Sequence, residues 1–391
     1  MARILFLAFV SIILSGCTGA RAVLWHGPNS SPASLAAAQA AFIKPAKPAA
    51  VVPVFVATSR QRSNDFSMPY NSQRSATLNF SRVDVGIPKA HVKGVVEKTG
   101  YKPDPAKHFA AVSFQPFDNS QIFVNKLNQA LDKQPAKDQE LLIFVHGYNN
   151  NFADSTFRAA QFTHDYGLKS VAVHYAWPSA ASLGLYVYDR DSANFARDGL
   201  AELLVLASKT KAKRILLVGH SMGSFVTMEA LRTLSLNEER TALKRINNVL
   251  LAAPDIDLDV FEKQVKDVTP LPPMAVLVSR NDSALNISGR ITGGHSRVGD
   301  GSSITTLQKY GIAVLDASSV DGGAHSVFAS SPTLMALVSD GSLSLNTLKG
   351  EGQTSGEAIL ADGTSVVAGA ASMVIYLPGR ILTAAATGFQ Q

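Results

Sequence analysis

The chain has one cysteine, Cys17, in 391 residues. Without a second, no intramolecular disulfide forms, and neither does a cysteine-based metal site. Charged residues are sparse at 17%, against about a quarter in an average globular protein. The net charge of +6 is scattered. No Lys/Arg stripe marks a nucleic-acid surface, so nucleic acid is set aside as a partner. Long apolar runs are also missing: Ile4–Leu14 falls short of the roughly 20 residues a bilayer span requires. There is no His-Glu-x-x-His, no carboxylate cluster with metal spacing, no phosphate-binding glycine loop and no dinucleotide fingerprint. No metal and no cofactor is implied. No internal repeat is visible.

What is present is a chain that is 46% hydrophobic, enough for a large core or two domains. Its centre is Ile215-Leu216-Leu217-Val218-Gly219-His220-Ser221-Met222-Gly223. An apolar run of strand length enters Gly-x-Ser-x-Gly and continues into a helical pattern. In that context the turn lifts the middle serine above the carboxyl end of a sheet, with its backbone strained. The bare pentapeptide is weak evidence, and an ordinary glycine-tolerant turn explains it equally well. The flanking strand and helix make Ser221 a candidate nucleophile.

Val51–Thr58 reads as a first strand, placed at an edge because Pro53 lacks an N–H. Ala76–Val85 and Lys107–Phe114 are further strands, with a helix over Asp118–Leu131. From Leu141 the pattern alternates. Strands over Leu141–His146, Ser170–Ala176, Arg214–Gly219, Arg245–Ala252, Met274–Ser279 and finally Gly311–Leu315 are separated by helical segments. These include Phe152–Tyr166, Ser192–Ser208 and Leu258–Val268. Such alternation implies an α/β fold, a mostly parallel central sheet with helices on both faces. Ligands then bind beyond the carboxyl ends of the strands.

A serine hydroxyl needs a base to take its proton, and the base needs a carboxylate to orient it. In strand–turn–helix hydrolases the acid and then the histidine follow the serine in the chain. Downstream of Ser221 only His295 and His325 remain. His325 follows the last expected strand, where the base belongs, and His295 sits in a glycine-rich surface loop. Asp282, just past the Met274–Ser279 strand, is the favoured acid. Asp255, after the preceding strand, is the alternative, and the one not used is expected to cap a helix. Asp316 and Asp321 read as turn residues. The oxyanion needs two backbone N–H groups. Met222 supplies one, and Tyr148, after His146-Gly147 at a strand end, supplies the other. His146 is read as structural, and Trp177-Pro178 as a pocket wall. No large insertion separates the strands, so an open or loop-covered cleft is expected.

Arg3, the apolar run and Leu14-Ser15-Gly16-Cys17 form an export signal. Its end resembles the bacterial lipoprotein signal, which implies cleavage before Cys17 and lipid attachment there. Thr18, where an aspartate is absent, resembles the pattern of lipoproteins sent to the outer membrane, facing the periplasm. Residues 1–16 are thus a signal peptide. Residues 17–50 are an Ala/Pro-rich tether with one short helix over Ala33–Phe42, and 51–350 the folded domain. Residues 351–391 are a tail of small and apolar residues, with Met373–Leu377 at its centre, docked or partly disordered.

Phe144-Val145-His146-Gly147-Tyr148-Asn149-Asn150, Trp177-Pro178, Gly219–Gly223, Ala253-Pro254-Asp255-Ile256-Asp257 and Ser279-Arg280-Asn281-Asp282 occur in this order. With Val54–Arg60, the set resembles a bacterial branch of the esterase/lipase-like α/β-hydrolase superfamily, over about Val51 to Leu337. The resemblance implies the α/β-hydrolase fold and a serine hydrolase acting on small-molecule or lipid acyl esters. A second reading is a non-catalytic envelope lipoprotein that uses the fold as a binding or assembly module. A third keeps the enzyme but assigns thioester, peptide or polysaccharide-acetyl substrates. The residues do not indicate an oligomeric state.

Overall fold

The computed structural model describes residues 20–24, 47–65, 67–101, 103–339, 343, 372–378 and 380–385. The signal run, Cys17, the short helix expected over 33–42 and most of the tail lie outside the described residues. Among the described residues no helix is long and apolar enough to cross a membrane.

Among the described residues eleven strands form one sheet in the order β11-β10-β9-β8-β7-β6-β4-β5-β1-β2-β3. Its parallel heart comprises β4 (Glu140–Val145), β5 (Val171–Ala176), β6 (Arg214–His220), β7 (Asn248–Ala252), β8 (Met274–Val278) and β9 (Ala313–Asp316). β4 shows why these segments form such strands. Leu141, Ile143 and Val145 enter one core, and Leu142 and Phe144 enter the other. A strand covered on both faces must be apolar at every position, and five of its six residues are fully buried. One face is covered by α1 (Ser120–Leu131), α3 (Tyr186–Ser208), α4 (Met222–Leu236) and α6 (Leu258–Asp267) through residues such as Phe123, Leu200, Val226 and Phe261. The other is covered by α2 (Phe152–Asp165), α9 (Val327–Ser330) and α10 (Pro332–Ser339) through Phe157, Phe328 and Leu334. The short helices α5 (Arg240–Arg245), α7 (Ser283–Ile291) and α8 (Ile304–Lys309) connect the later strands.

Three expectations are corrected. β1 (Ala50–Arg62) is an interior strand, parallel to β5 and antiparallel to β2 (Tyr70–Ile87), which in turn pairs with β3 (Ala110–Phe117). Pairing with β5 begins at Val54, so Pro53 stands just outside that ladder and its missing N–H costs nothing there. The 313–316 strand is not the last. β10 (Ser372–Leu377) adds antiparallel to β9, and β11 (Arg380–Ala385) pairs with β10. Met373, Ile375 and Leu377 are buried by this return. Finally, residues 20–24 of the expected tether lie against the domain, with Ala22 and Leu24 fully buried.

Candidate active site

Ser221 joins β6 to α4 with φ 53° and ψ −124°, a backbone conformation that non-glycine residues rarely occupy. Three contacts hold it there. Its N–H donates to Ala252 O at 2.9 Å, and its carbonyl accepts from Ser224 N at 2.9 Å and Asp255 N at 3.3 Å. The bend is tight because Gly223 rests on the end of β4; a Cβ there would fall 2.3 Å from His146 O. Gly147 is as confined, since its Cβ would meet Ser221 Cβ at 2.9 Å. The Gly147 turn and the serine turn are therefore packed backbone to backbone.

Strain is concentrated on this edge. Among the described residues, six that are not glycine have positive φ: Asn149, Ala181, Ser221, Glu238, Ala253 and Asp321. All but Glu238 lie in the loops that follow β4, β5, β6, β7 and β9. Backbone cost of this kind gathers where a site is held in shape.

The loops after β8 and β9 are stitched together. Ser279 Oγ donates to Gly323 O at 2.6 Å, Arg280 N to Ser318 Oγ at 2.9 Å, and Asn281 Nδ2 to Ser318 O at 2.7 Å. At the end of this seam His325 Nδ1 donates to Asp282 Oδ2 at 2.7 Å. A carboxylate can only accept, so Nδ1 carries a proton, and in the neutral ring that leaves the lone pair on Nε2. Asp282 is buried, and its other oxygen accepts from Leu285 N at 3.0 Å, capping α7. One side chain thus aims the histidine and starts a helix. His220, the residue before Ser221, reaches the same loop. Its Nε2 donates to His325 O at 3.2 Å, and its ring lies 4.9 Å from that of His325 and 4.4 Å from Phe328. Burial pushes the His220 imidazole well below its usual pKa, so it serves as a neutral strut. Among the described residues no hydrogen bond engages the Ser221 hydroxyl.

Among the described residues the Asp255 carboxylate bonds neither histidine. Tyr186 Oη donates to it at 2.8 Å, Ser288 Oγ at 2.7 Å, and Arg297 Nε lies 3.4 Å away. It does not cap a helix either; that task at α6 falls to Asp257. His295 is an exposed residue 3.7 Å from Asp257. Asp316 and Asp321 accept from the nearby hydroxyls of Ser318 and of Ser331 and Thr333.

Met222 is the first residue of α4, so its N–H has no acceptor within the helix. Tyr148 follows Gly147, whose turn packs against His220 and Ser221. The tyrosine hydroxyl donates to Ser182 O at 3.1 Å and Leu183 O at 2.7 Å, and burial pushes its pKa up to about 12. Asn150 Nδ2 donates to Gly147 O and Tyr148 O at 3.1 and 2.8 Å. Beneath the loop is Arg60, 1% exposed, which donates to Asn150 O at 2.8 Å and Ser179 O at 3.1 Å. Its burial lowers its pKa to about 10, partly offset by Asp189. Asp189 accepts from Asn149 N, Ala180 N and Ser179 Oγ. None of these supports announces itself by spacing; Arg60 and Asn150 are 90 positions apart. Trp177, expected to wall the pocket, is fully buried and stacks on His146 at 4.8 Å. The ring nitrogens of His146 lie 2.9 and 3.0 Å from the carbonyl oxygens of Gly147 and Trp177, one of which receives the single N–H of the neutral ring.

The only group with metal-ligand composition among the described residues is His91, His164 and Asp165. Its demands are met internally. Both rings bond Asp165 Oδ1 at 2.8 Å, and Glu97 holds the other nitrogen of His91.

Residues 120–340 match the model of a family described as alpha/beta hydrolase of unknown function (DUF900). The chain belongs to this family. Its fold is the α/β-hydrolase fold, and its general chemistry is that of a hydrolase. The chain is also similar, at low identity, to solved structures of esterases. One of two fungal esterases from Rhizomucor miehei is 12% identical, with TM-score 0.33 over 79% of this chain and 88% of that one. Esterase Est22 is 13% identical, with TM-score 0.35 over 87% and 96%. No curated protein matches the chain.

Proposed function

We propose that this hydrolase is a serine esterase of the cell envelope, with Ser221 as nucleophile, His325 as base and Asp282 as the orienting acid. Ser221 Oγ attacks an acyl carbonyl while His325 Nε2 takes its proton. Asp282, bonded to Nδ1–H, favours the resulting imidazolium. The N–H groups of Met222 and Tyr148 receive the oxyanion. Collapse expels the alcohol, protonated by His325. Water then attacks the acyl-enzyme by the same route, with His325 as base, and releases the acid.

The observation that carries the reading is the 2.7 Å Asp282–His325 bond in a loop braced by His220, whose neighbour is the strained Ser221. The family supports hydrolysis in general, and an acyl ester is the substrate class this machinery suits best. An active-site-directed fluorophosphonate tests it. Labelling of the folded protein that disappears in Ser221→Ala is expected, and folded wild-type protein that takes no label would overturn the proposal. The envelope location rests on the Leu-Ser-Gly-Cys signal. Cys17→Ser is expected to move the protein from the membrane to the soluble fraction, and unchanged partition refutes the anchor.

A further inference from the structure

The chain is fixed to the domain almost as soon as it leaves Cys17. Arg21 Nη1 donates to Asn149 O at 2.7 Å, and its Nη2 donates to the Asn149 side-chain oxygen. Ala22 N donates to Asp154 Oδ1 at 3.2 Å, and Asn151 Nδ2 to Ala22 O at 2.9 Å. Leu24 N donates to Ser67 O at 3.0 Å, and Leu24 O accepts from Ala111 N at 2.7 Å. The groups gripped by Arg21 belong to Asn149, the residue after Tyr148. Whatever path the chain takes from Cys17 to Arg21, its four steps reach at most about 14 Å. A lipid on Cys17 therefore holds the Tyr148–Asn149 loop close to the bilayer surface.

The same edge exposes apolar side chains. Leu185 and Val187, 47% and 71% exposed, follow the carbonyls that hold the Tyr148 hydroxyl. Ile287 and Ile291, 43% and 61% exposed, lie one turn apart on α7, the helix capped by Asp282. Ser288 of that helix and Tyr186 both bind Asp255, which joins the two apolar strips across the site. Scattered exposed apolar residues are ordinary on soluble proteins. Here they flank one site, and a covalent anchor starts a few residues from it.

We propose that the hydrolase turns its active-site face to the bilayer and that its substrates are acyl esters of membrane lipids. The proposal rests on the anchor at Cys17 and on the Ser221 reading. Leu185, Val187, Ile287 and Ile291 dip into the headgroup region, and the short leash keeps lipid esters at high local concentration over Ser221.

Two measurements on the full-length lipidated protein in phosphatidylethanolamine–phosphatidylglycerol vesicles test this. The single native thiol is consumed by the lipid, so Val187→Cys or Ile287→Cys takes a fluorophore uniquely; Leu236→Cys, at the far end of α4, is the control. Brominated phospholipid is expected to quench the labels at 187 and 287 at least about twofold more than the label at 236. In the second measurement, about 20 Gly/Ser residues are inserted between Gly19 and Ala20, lengthening the leash by roughly 25 Å. Hydrolysis of vesicle phospholipid should fall about tenfold or more, with turnover of a soluble short-chain ester within about twofold of wild type. Equal quenching at all positions in membrane-bound protein overturns the orientation, and so does lipid turnover indifferent to the insertion. Soluble-ester activity with no phospholipid hydrolysis in either form overturns the substrate class alone. Loss of fluorophosphonate labelling, or membrane binding unaffected by Cys17→Ser, would instead strike the readings beneath.

Discussion

Asp282→Asn separates the acid role from every structural role of this residue. The amide oxygen can still accept from Leu285 N at the start of α7, so the cap survives and stability should shift by less than about 1 kcal/mol. The amide nitrogen then faces His325 Nδ1, 2.7 Å away in the parent structure. Nδ1 must now accept, the imidazole proton moves to Nε2, and no lone pair is left for the Ser221 proton. A wrong tautomer in such a triad costs roughly 10⁴ in kcat, about 5.5 kcal/mol of barrier. Asp255→Asn should behave in the opposite way. It removes the charge beside buried Arg297 and should cost about 3 kcal/mol of stability. Turnover per folded molecule should stay within about tenfold of the parent. Urea denaturation gives the stabilities, and turnover of a short-chain nitrophenyl ester, normalised to folded protein, gives the rates. A stable Asp255→Asn with collapsed turnover, beside an active Asp282→Asn, would refute the assignment.

Other consequences follow from the same contacts. Asn150→Ala frees the carbonyls of Gly147 and Tyr148 and should lower kcat about 10- to 100-fold with KM nearly unchanged; an unaltered kcat would remove the loop from the reaction. Gly147→Ala forces a Cβ to 2.9 Å from that of Ser221, and fluorophosphonate labelling should be lost in protein that still folds by circular dichroism. Burial holds His146, His174 and His220 neutral, His174 with a pKa pushed down to about 3. Below about pH 6.5 the unfolded chain binds protons that the folded one refuses, so stability drops as pH falls. Each should lose roughly 2 kcal/mol by pH 5, and a urea midpoint that stays flat from pH 7.5 to 5 would contradict this.

The parallel heart of the sheet was legible because strands buried on both faces are apolar at every position. Helix α3 begins earlier than its apolar pattern, since Tyr186–Asp191 owes its helical state to Tyr186 and Asp189 packing inward, against Asp255 and the Ser179 loop. β10 and β11 come from small-residue sequence with no strand-like run beyond Met373–Leu377, and they become strands by pairing, β10 with β9 and β11 with β10. Among the candidate site residues, Ser221, Asp282 and His325 stood out because each follows an apolar strand. His220, Asn150 and Arg60 could not be assigned supporting tasks in advance. Their partners are distant in the chain, and chain distance carries no record of a hydrogen bond.

Five non-glycine residues in left-handed backbone along one rim of the sheet have a bearing on engineering. Exchanging Asn149 or Ala253 for glycine would relieve local cost and raise thermal tolerance, yet each flanks a turn that the proposed mechanism relies on to aim a reacting group. Heat-hardened versions of this enzyme are better sought in the surface helices, leaving the rim under tension.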